Sequence, residues 1–175
     1  MAGRSRRKLI GQLTQPQYAL LKDLTDGGPL DAPALETSVD EAIAYRLKLA
    51  QGFIRAARVL ATNEDALVRR SAISRAYYGA YHAARATVFA VHHRDEHRHT
   101  ELARVIDEVL ARRASVGDAL KELLRLRREM DYSPYPGPDD SSEYSEEEIE
   151  RAINDSITRA ERIVGVLEGY LQERR

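Results

Sequence analysis

The stretch Ser74-Arg75-Ala76-Tyr77-Tyr78-Gly79-Ala80-Tyr81-His82-Ala83-Ala84-Arg85 constrains the fold more than any other part of the chain. An α-helix advances about 100° per residue, so Arg75 and His82 fall within about 20° of one another, roughly 10 Å apart along the axis. Tyr78 and Arg85 lie near the same stripe. Ala72, Ala76, Gly79, Ala80 and Ala83 are small. They let neighbouring helices approach the backbone closely. The pattern predicts a long, buried, central helix with one polar and aromatic line along it, surrounded by other helices.

The rest of the chain supplies those neighbours. A short helix is expected over Pro16 to Thr25, with Tyr18, Leu20, Leu21 and Leu24 as its apolar side. Gly27-Gly28-Pro29 ends it, and a loop is expected through Ala34. Ser38-Val39-Asp40-Glu41 reads as a capping box, which opens a helix running to about Ala61. Ile43, Leu47, Ala50, Ile54, Ala57 and Leu60 recur along it at three to four residues. Thr62-Asn63-Glu64-Asp65 is a second start signal, and the central helix then runs to about Val91. His92 to His99 forms a polar linker.

Thr100 is expected to cap a helix to about Arg113, and Ser115 to Tyr132 form another. Pro134, Pro136 and Pro138 break that helix, because each removes a donor and fixes φ. Ser145-Glu146-Glu147-Glu148 is a further capping box, with acids suited to the positive end of the helix dipole. The last helix, to about Glu173, carries a long stripe from Ile149 to Leu171. No strand pattern appears. The fold class expected is all-α, an up-down bundle of four to five helices. Residues 1–37 are expected as an N-terminal extension, a basic tail plus the short helix, and residues 38–175 as the bundle.

Composition matters mainly for what it excludes. Of 175 residues none is Cys, so thiolate nucleophiles and cysteine metal sites are ruled out. No run of 18 apolar residues is present, and the basic start of the chain lacks the apolar segment of a secretory signal. A cytoplasmic protein with no membrane association is expected. The net charge of −1 hides an asymmetry. Residues 139–150 hold seven acids and no base, leaving 27 basic against 21 acidic residues elsewhere. A mildly basic body is compatible with RNA as a partner.

Two readings of Arg75 and His82 stand side by side. In one, His82 bonds a carbonyl or a Tyr hydroxyl inside the bundle and Arg75 pairs with a carboxylate. In the other, they act on RNA. A histidine accepts and donates a proton near neutral pH, and a guanidinium fork matches phosphate geometry. Such a base takes the ribose 2′-OH proton while the arginine stabilises the charge that develops on phosphate. One histidine per chain is half of an acid–base pair, so a twofold dimer is expected to supply the other. Tyr77, Tyr78 and Tyr81 either stack on bases or pack with their hydroxyls satisfied. Asp131 either orients Arg127 or closes its helix with Tyr132. His92, His93, His97 and His99 match no closed zinc motif, so no metal site is assigned to that linker. The chain has no Gly-rich phosphate loop and no G-x-S-x-G.

The Ser74 to Arg85 stretch resembles the signature helix of HEPN domains (higher eukaryotes and prokaryotes nucleotide-binding), in particular a prokaryotic branch reading R-A-Y-Y-A-x-F-H-A-A-R. Arg127-Arg128-Glu129-Met130-Asp131-Tyr132 is similar to that branch's R-x-x-x-D-Y, and His99 lies where the branch often has a histidine. The resemblance spans roughly Asp40 to Leu171. It implies a dimerising helical bundle and a metal-independent endoribonuclease with an R-x(4–6)-H motif, here Arg75 and His82 as catalytic residues. Tyr78, Arg85, Arg127 and Asp131 are then expected to bind RNA or nucleotide. No cofactor is expected. The partner implied is a minimal nucleotidyltransferase antitoxin, with this chain as the toxin half of a toxin–antitoxin pair and a homodimer as its assembly. Ala76 stands where strongly active members often carry a polar residue, and Ala84 where some carry the Tyr of His-x-Tyr. The alternative is a non-catalytic HEPN module that binds nucleotide or a nucleotidyltransferase.

Overall fold

Helix α3, Ala66–His92, is the central element, and every other helix except the first packs on it. The computed structural model describes residues 15–26, 32–111, 115–132 and 145–174. The basic tail, Gly27-Gly28-Pro29, the proline segment and the acidic residues 139–144 lie outside the described residues. Within them the chain is helical and forms no strand: α1 Gln15–Asp26, α2 Ala32–Ala61, α3, α4 His99–Val109, α5 Val116–Tyr132 and α6 Glu146–Glu173. None of these helices is long and apolar enough to cross a membrane.

The helix starts and stops follow local chemistry, with three departures, one being the end of α4 at Val109 rather than near Arg113, where Ala111 turns left-handed at φ 48°. Asp65 caps α3 by accepting from the Leu67 amide at 2.8 Å. At the other end His93 takes the left-handed conformation, φ 52°, and its N–H returns to the Phe89 carbonyl. Ser145 and Glu148 form the expected capping box at α6. By contrast, α2 begins at Ala32 and runs straight through Ser38, six residues upstream of the expected start. Pro33 explains the difference. In a first turn its missing N–H costs nothing, because that donor has no intrahelical partner anyway. Thr37 then bonds back to the Pro33 carbonyl at 2.8 Å within the helix. Likewise α4 begins at His99 after Arg98, so Thr100 sits in its first turn rather than at its cap.

Contacts set the directions. Arg46 meets Arg85 while Ile54 meets Gly79, so α2 runs antiparallel to α3. Arg70 reaches Met130 and Arg127 lies on Tyr78, so α5 is antiparallel to α3 as well. Arg69 pairs with Glu146 and Phe89 packs near Leu171, so α6 runs alongside α3 in the same sense.

Two glycines allow the closest approaches. A Cβ on Gly79 would stand 2.6 Å from Ile54 Cδ1 and 3.2 Å from the Ala50 carbonyl. One on Gly117 would stand 2.1 Å from the Ala103 carbonyl. The Gly117 N–H donates to Asp107 Oδ1 at 2.7 Å, so α4 supplies an acceptor to the first turn of α5. The main core gathers around Ile73, Tyr77, Leu102, Leu123 and Leu167. A smaller cluster around Phe89 closes the far end of α3.

Candidate functional site

The expected line on α3 is present, but the protein uses its two ends differently. Arg75 is exposed, Tyr78 and His82 are half-buried, and Arg85 turns away. Arg85 Nε donates to Asp95 Oδ1 at 3.0 Å and its Nη2 pairs with Oδ2. Arg46 Nη2 reaches the same Oδ1 at 3.0 Å. This triad sits in the loop after α3 with all three side chains largely covered. Arg85 is thereby committed to Asp95, although its charge still bears on His82.

Those two instead converge on Phe53 of α2, a residue the sequence reading did not single out. The His82 imidazole lies flat against the Phe53 ring, with centroids 5.4 Å apart and planes 2° apart. The Arg75 guanidinium stands 5.8 Å from the same centroid, and Tyr78 tilts against it at 5.6 Å. Among the described residues Arg75 makes no ion pair and His82 no hydrogen bond. Burial, then the positive charges of Arg85 and Arg46, push the His82 pKa down to about 4, with Asp95 acting the other way. The ring is therefore neutral near pH 7, with a free lone pair.

Helix α5 completes the cluster. The Arg127 guanidinium lies 4.9 Å from the Tyr78 centroid and 5.7 Å from that of Tyr77. Its Nε donates to Asp131 Oδ2 at 3.2 Å. Ser74 Oγ donates to the same oxygen at 3.3 Å. Asp131 thus ties α5 to the helix that carries Arg75. Of the six residues expected at the site, Arg75, Tyr78, His82, Arg127 and Asp131 form one continuous group, and Arg85 borders it only through the Tyr81 ring, 5.4 Å from its guanidinium.

The remaining candidates have structural employment. Tyr77 is fully buried, its hydroxyl bonded to His99 Nδ1, and burial raises its pKa. Tyr81 donates to the His97 carbonyl at 2.8 Å. Only Tyr78 of the three keeps part of its ring open to solvent beside His82. The histidines of the linker disperse: His93 stacks on Tyr18 of α1 with centroids 4.1 Å apart, whereas His99 faces Tyr77 and Tyr81. Among the described residues no group of three or more histidines and acids is placed to hold a metal ion. Ala76 points into the core with no exposed surface, so a polar side chain there would be buried.

What could have exposed Phe53 and Asp95 in the sequence is slight. Phe53 sits next to the apolar stripe of α2 on a helix that is otherwise aliphatic there. Asp95 is one of two acids in a linker rich in His and Arg.

No curated protein and no solved structure matches the chain. The family model described as HEPN domain matches residues 43–170, which covers α3 whole together with most of α2 and nearly all of α6. Domains of this kind are often ribonucleases or nucleotide-binding modules, and they often bind RNA or nucleotide and dimerise. The helical architecture, the line on α3 and that match agree, and the chain belongs to the HEPN domain family.

Proposed function

We propose that this chain is a metal-independent endoribonuclease that cleaves RNA through its own ribose 2′-hydroxyl. The observation that carries the reading is an exposed guanidinium, Arg75, beside a neutral histidine, His82, on one aromatic wall, the first without an ion pair and the second without a hydrogen bond among the described residues. A cation left unpaired at a surface is free to take an anion, and a phosphate diester is the anion RNA offers. Tyr78, partly exposed beside His82, offers its ring to a flanking base, and Arg127, ion-paired with Asp131, backs that ring.

The step balances as follows. His82 takes the 2′-OH proton, and the oxygen attacks the adjacent phosphorus. The bond from phosphorus to the 5′-oxygen breaks, and that oxygen leaves with a proton. The products are a 2′,3′-cyclic phosphate and a 5′-hydroxyl. Arg75 stabilises the charge on the non-bridging oxygens. The leaving-group proton comes from His82 of a second copy related by a twofold axis, whose pKa rises when a phosphate anion binds beside it. In the wider reading the chain is a toxin restrained by a nucleotidyltransferase antitoxin.

The test is cleavage of a long RNA in EDTA by the wild-type chain, Arg75→Ala and His82→Ala. Cutting by the wild type alone, with cyclic phosphate ends, supports the reading. Equal inertness of all three proteins removes it, and RNA or nucleotide binding without cutting establishes the non-catalytic module instead. Co-purification with the product of an adjacent nucleotidyltransferase frame tests the partner.

A further inference from the structure

The two groups assigned to chemistry share an unusual mounting. Nothing polar in the described residues holds either one in place. Arg75 lacks a carboxylate and His82 lacks a hydrogen-bond partner, yet a reacting base must be held to within a fraction of an ångström and some tens of degrees. Side chains without polar anchors are fixed by packing alone. Two rings do most of this for His82: Tyr81 of α3 meets the imidazole edge-on, with centroids 5.3 Å apart, and Phe53, from a different helix, meets its face. Phe53 is half-buried on α2, its ring meets the imidazole plane to plane, and the same ring borders the guanidinium and Tyr78. The ring reaches α3 because α2 comes close at Gly79, whose absent Cβ leaves room for Ile54, the next residue after Phe53.

We propose that Phe53 is a positioning residue for the ribonuclease reaction, the flat wall that sets the plane of His82 and the reach of Arg75. The inference rests on the nuclease reading for its consequence in catalysis, but the placement of His82 can be measured without it. Phe53 does not touch the reacting atoms. It restricts the imidazole to rotations that keep its plane parallel to the Phe53 ring. It also keeps water off one face of the ring. An aliphatic side chain of similar bulk would fill the space but offer no flat face, and the imidazole would then tilt and hydrate.

The experiment compares the full-length wild type with Phe53→Leu and Phe53→Tyr, the second retaining the ring. Circular dichroism and thermal melts confirm that each is folded. The first readout is the NMR titration of His82, assigned with His82→Gln. Burial and the neighbouring guanidiniums lower the wild-type pKa to about 4, so its midpoint is expected there. In Phe53→Leu it is expected to rise by about one unit or more, because water regains the ring, while Phe53→Tyr stays with the wild type. The second readout is RNA cleavage. Phe53→Leu is expected to lose about tenfold or more in kcat with KM within about twofold, the signature of lost orientation rather than lost binding. Phe53→Tyr is expected to restore kcat to within about twofold of wild type. An unmoved His82 midpoint in Phe53→Leu, an undiminished kcat, or a Phe53→Tyr variant as impaired as Phe53→Leu would each overturn the proposal. If the wild type cuts no RNA, the nuclease reading falls, and the titration alone still decides whether Phe53 positions His82.

Discussion

Removing the charge of Asp95 should be among the most damaging single changes at the far end of α3. The carboxylate lies between Arg46 and Arg85, whose side chains are 10% and 18% exposed. It accepts from Arg46 Nη2 and Arg85 Nε at 3.0 Å each, and from Arg85 Nη2. Arg46 also reaches the Arg85 carbonyl, at 3.4 Å. Asp95→Ala would leave two covered guanidiniums side by side without the carboxylate that bridges them. Breaking a buried ion pair from one side costs about 3–5 kcal/mol. For a chain of this length, each kcal/mol moves Tm by about 2–4 °C, so a fall of roughly 6–20 °C is expected. Asp95→Asn isolates charge from shape, and should lose most of the same amount. Equilibrium urea unfolding and calorimetry would measure both. The comparison is Glu161→Ala, which breaks an ion pair with the largely exposed Arg58 at 2.7 Å and should cost less than about 1 kcal/mol. Adding Arg85→Met to Asp95→Asn should recover part of the loss, because one cation is then gone. If Asp95→Asn costs no more than Glu161→Ala, the triad contributes no more than a surface pair, and the commitment of Arg85 to Asp95 has been overstated.

Other outcomes follow from the same contacts. Gly117→Ala, whose Cβ would stand 2.1 Å from a backbone oxygen, should destabilise by about 1–3 kcal/mol or more in urea unfolding, since a backbone oxygen cannot swing aside. Gly165→Ala, with nothing within 4 Å, should instead stabilise by about 0.5–1 kcal/mol through helix propensity. Ser145→Ala removes one side of the capping box of α6 and should cost about 0.5–2 kcal/mol by the same assay. His82 sets a pH dependence whose sign is fixed by its lowered pKa. Between its ordinary value of 6.5 and about 4 the unfolded chain takes the proton before the folded one, so stability falls as pH falls through that window. Because the ring is only part-buried, about 1–2 kcal/mol is expected rather than the full shift. His82→Gln should flatten the pH dependence of stability by that amount.

The fold was largely legible because helix signals are local. The small residues of the central stretch, the Ser145 capping box and the stripe of α6 each depend on neighbours within a turn or two, and all three appear in the structure as read. The start of α2 was not, because Ser38-x-x-Glu41 satisfies the capping pattern and yet lies inside a helix that Pro33 is free to begin. A capping box marks where a helix can start, not where an earlier turn is forbidden. The site divides along the same principle. Seven-residue spacing placed Arg75 and His82 on one face of α3, and that holds. The same spacing placed Arg85 with them, but its guanidinium is drawn off by Asp95, ten positions away across a loop whose path no periodicity encodes.

Phe53 is the sharper case, because its role depends on a distance. On α2 alone it is one more apolar residue beside Ile54. It becomes the wall behind His82 only because α2 and α3 meet at Gly79, where a methyl group would collide with Ile54. Gly79 belongs to the signature stretch, and its small size has a consequence beyond packing. A side chain at position 79 would crowd Ile54 and the Ala50 carbonyl, the stretch of α2 from which Phe53 reaches the imidazole. The line of Arg and His on α3 is therefore only half of the site, and the bare Cα between them admits the other half.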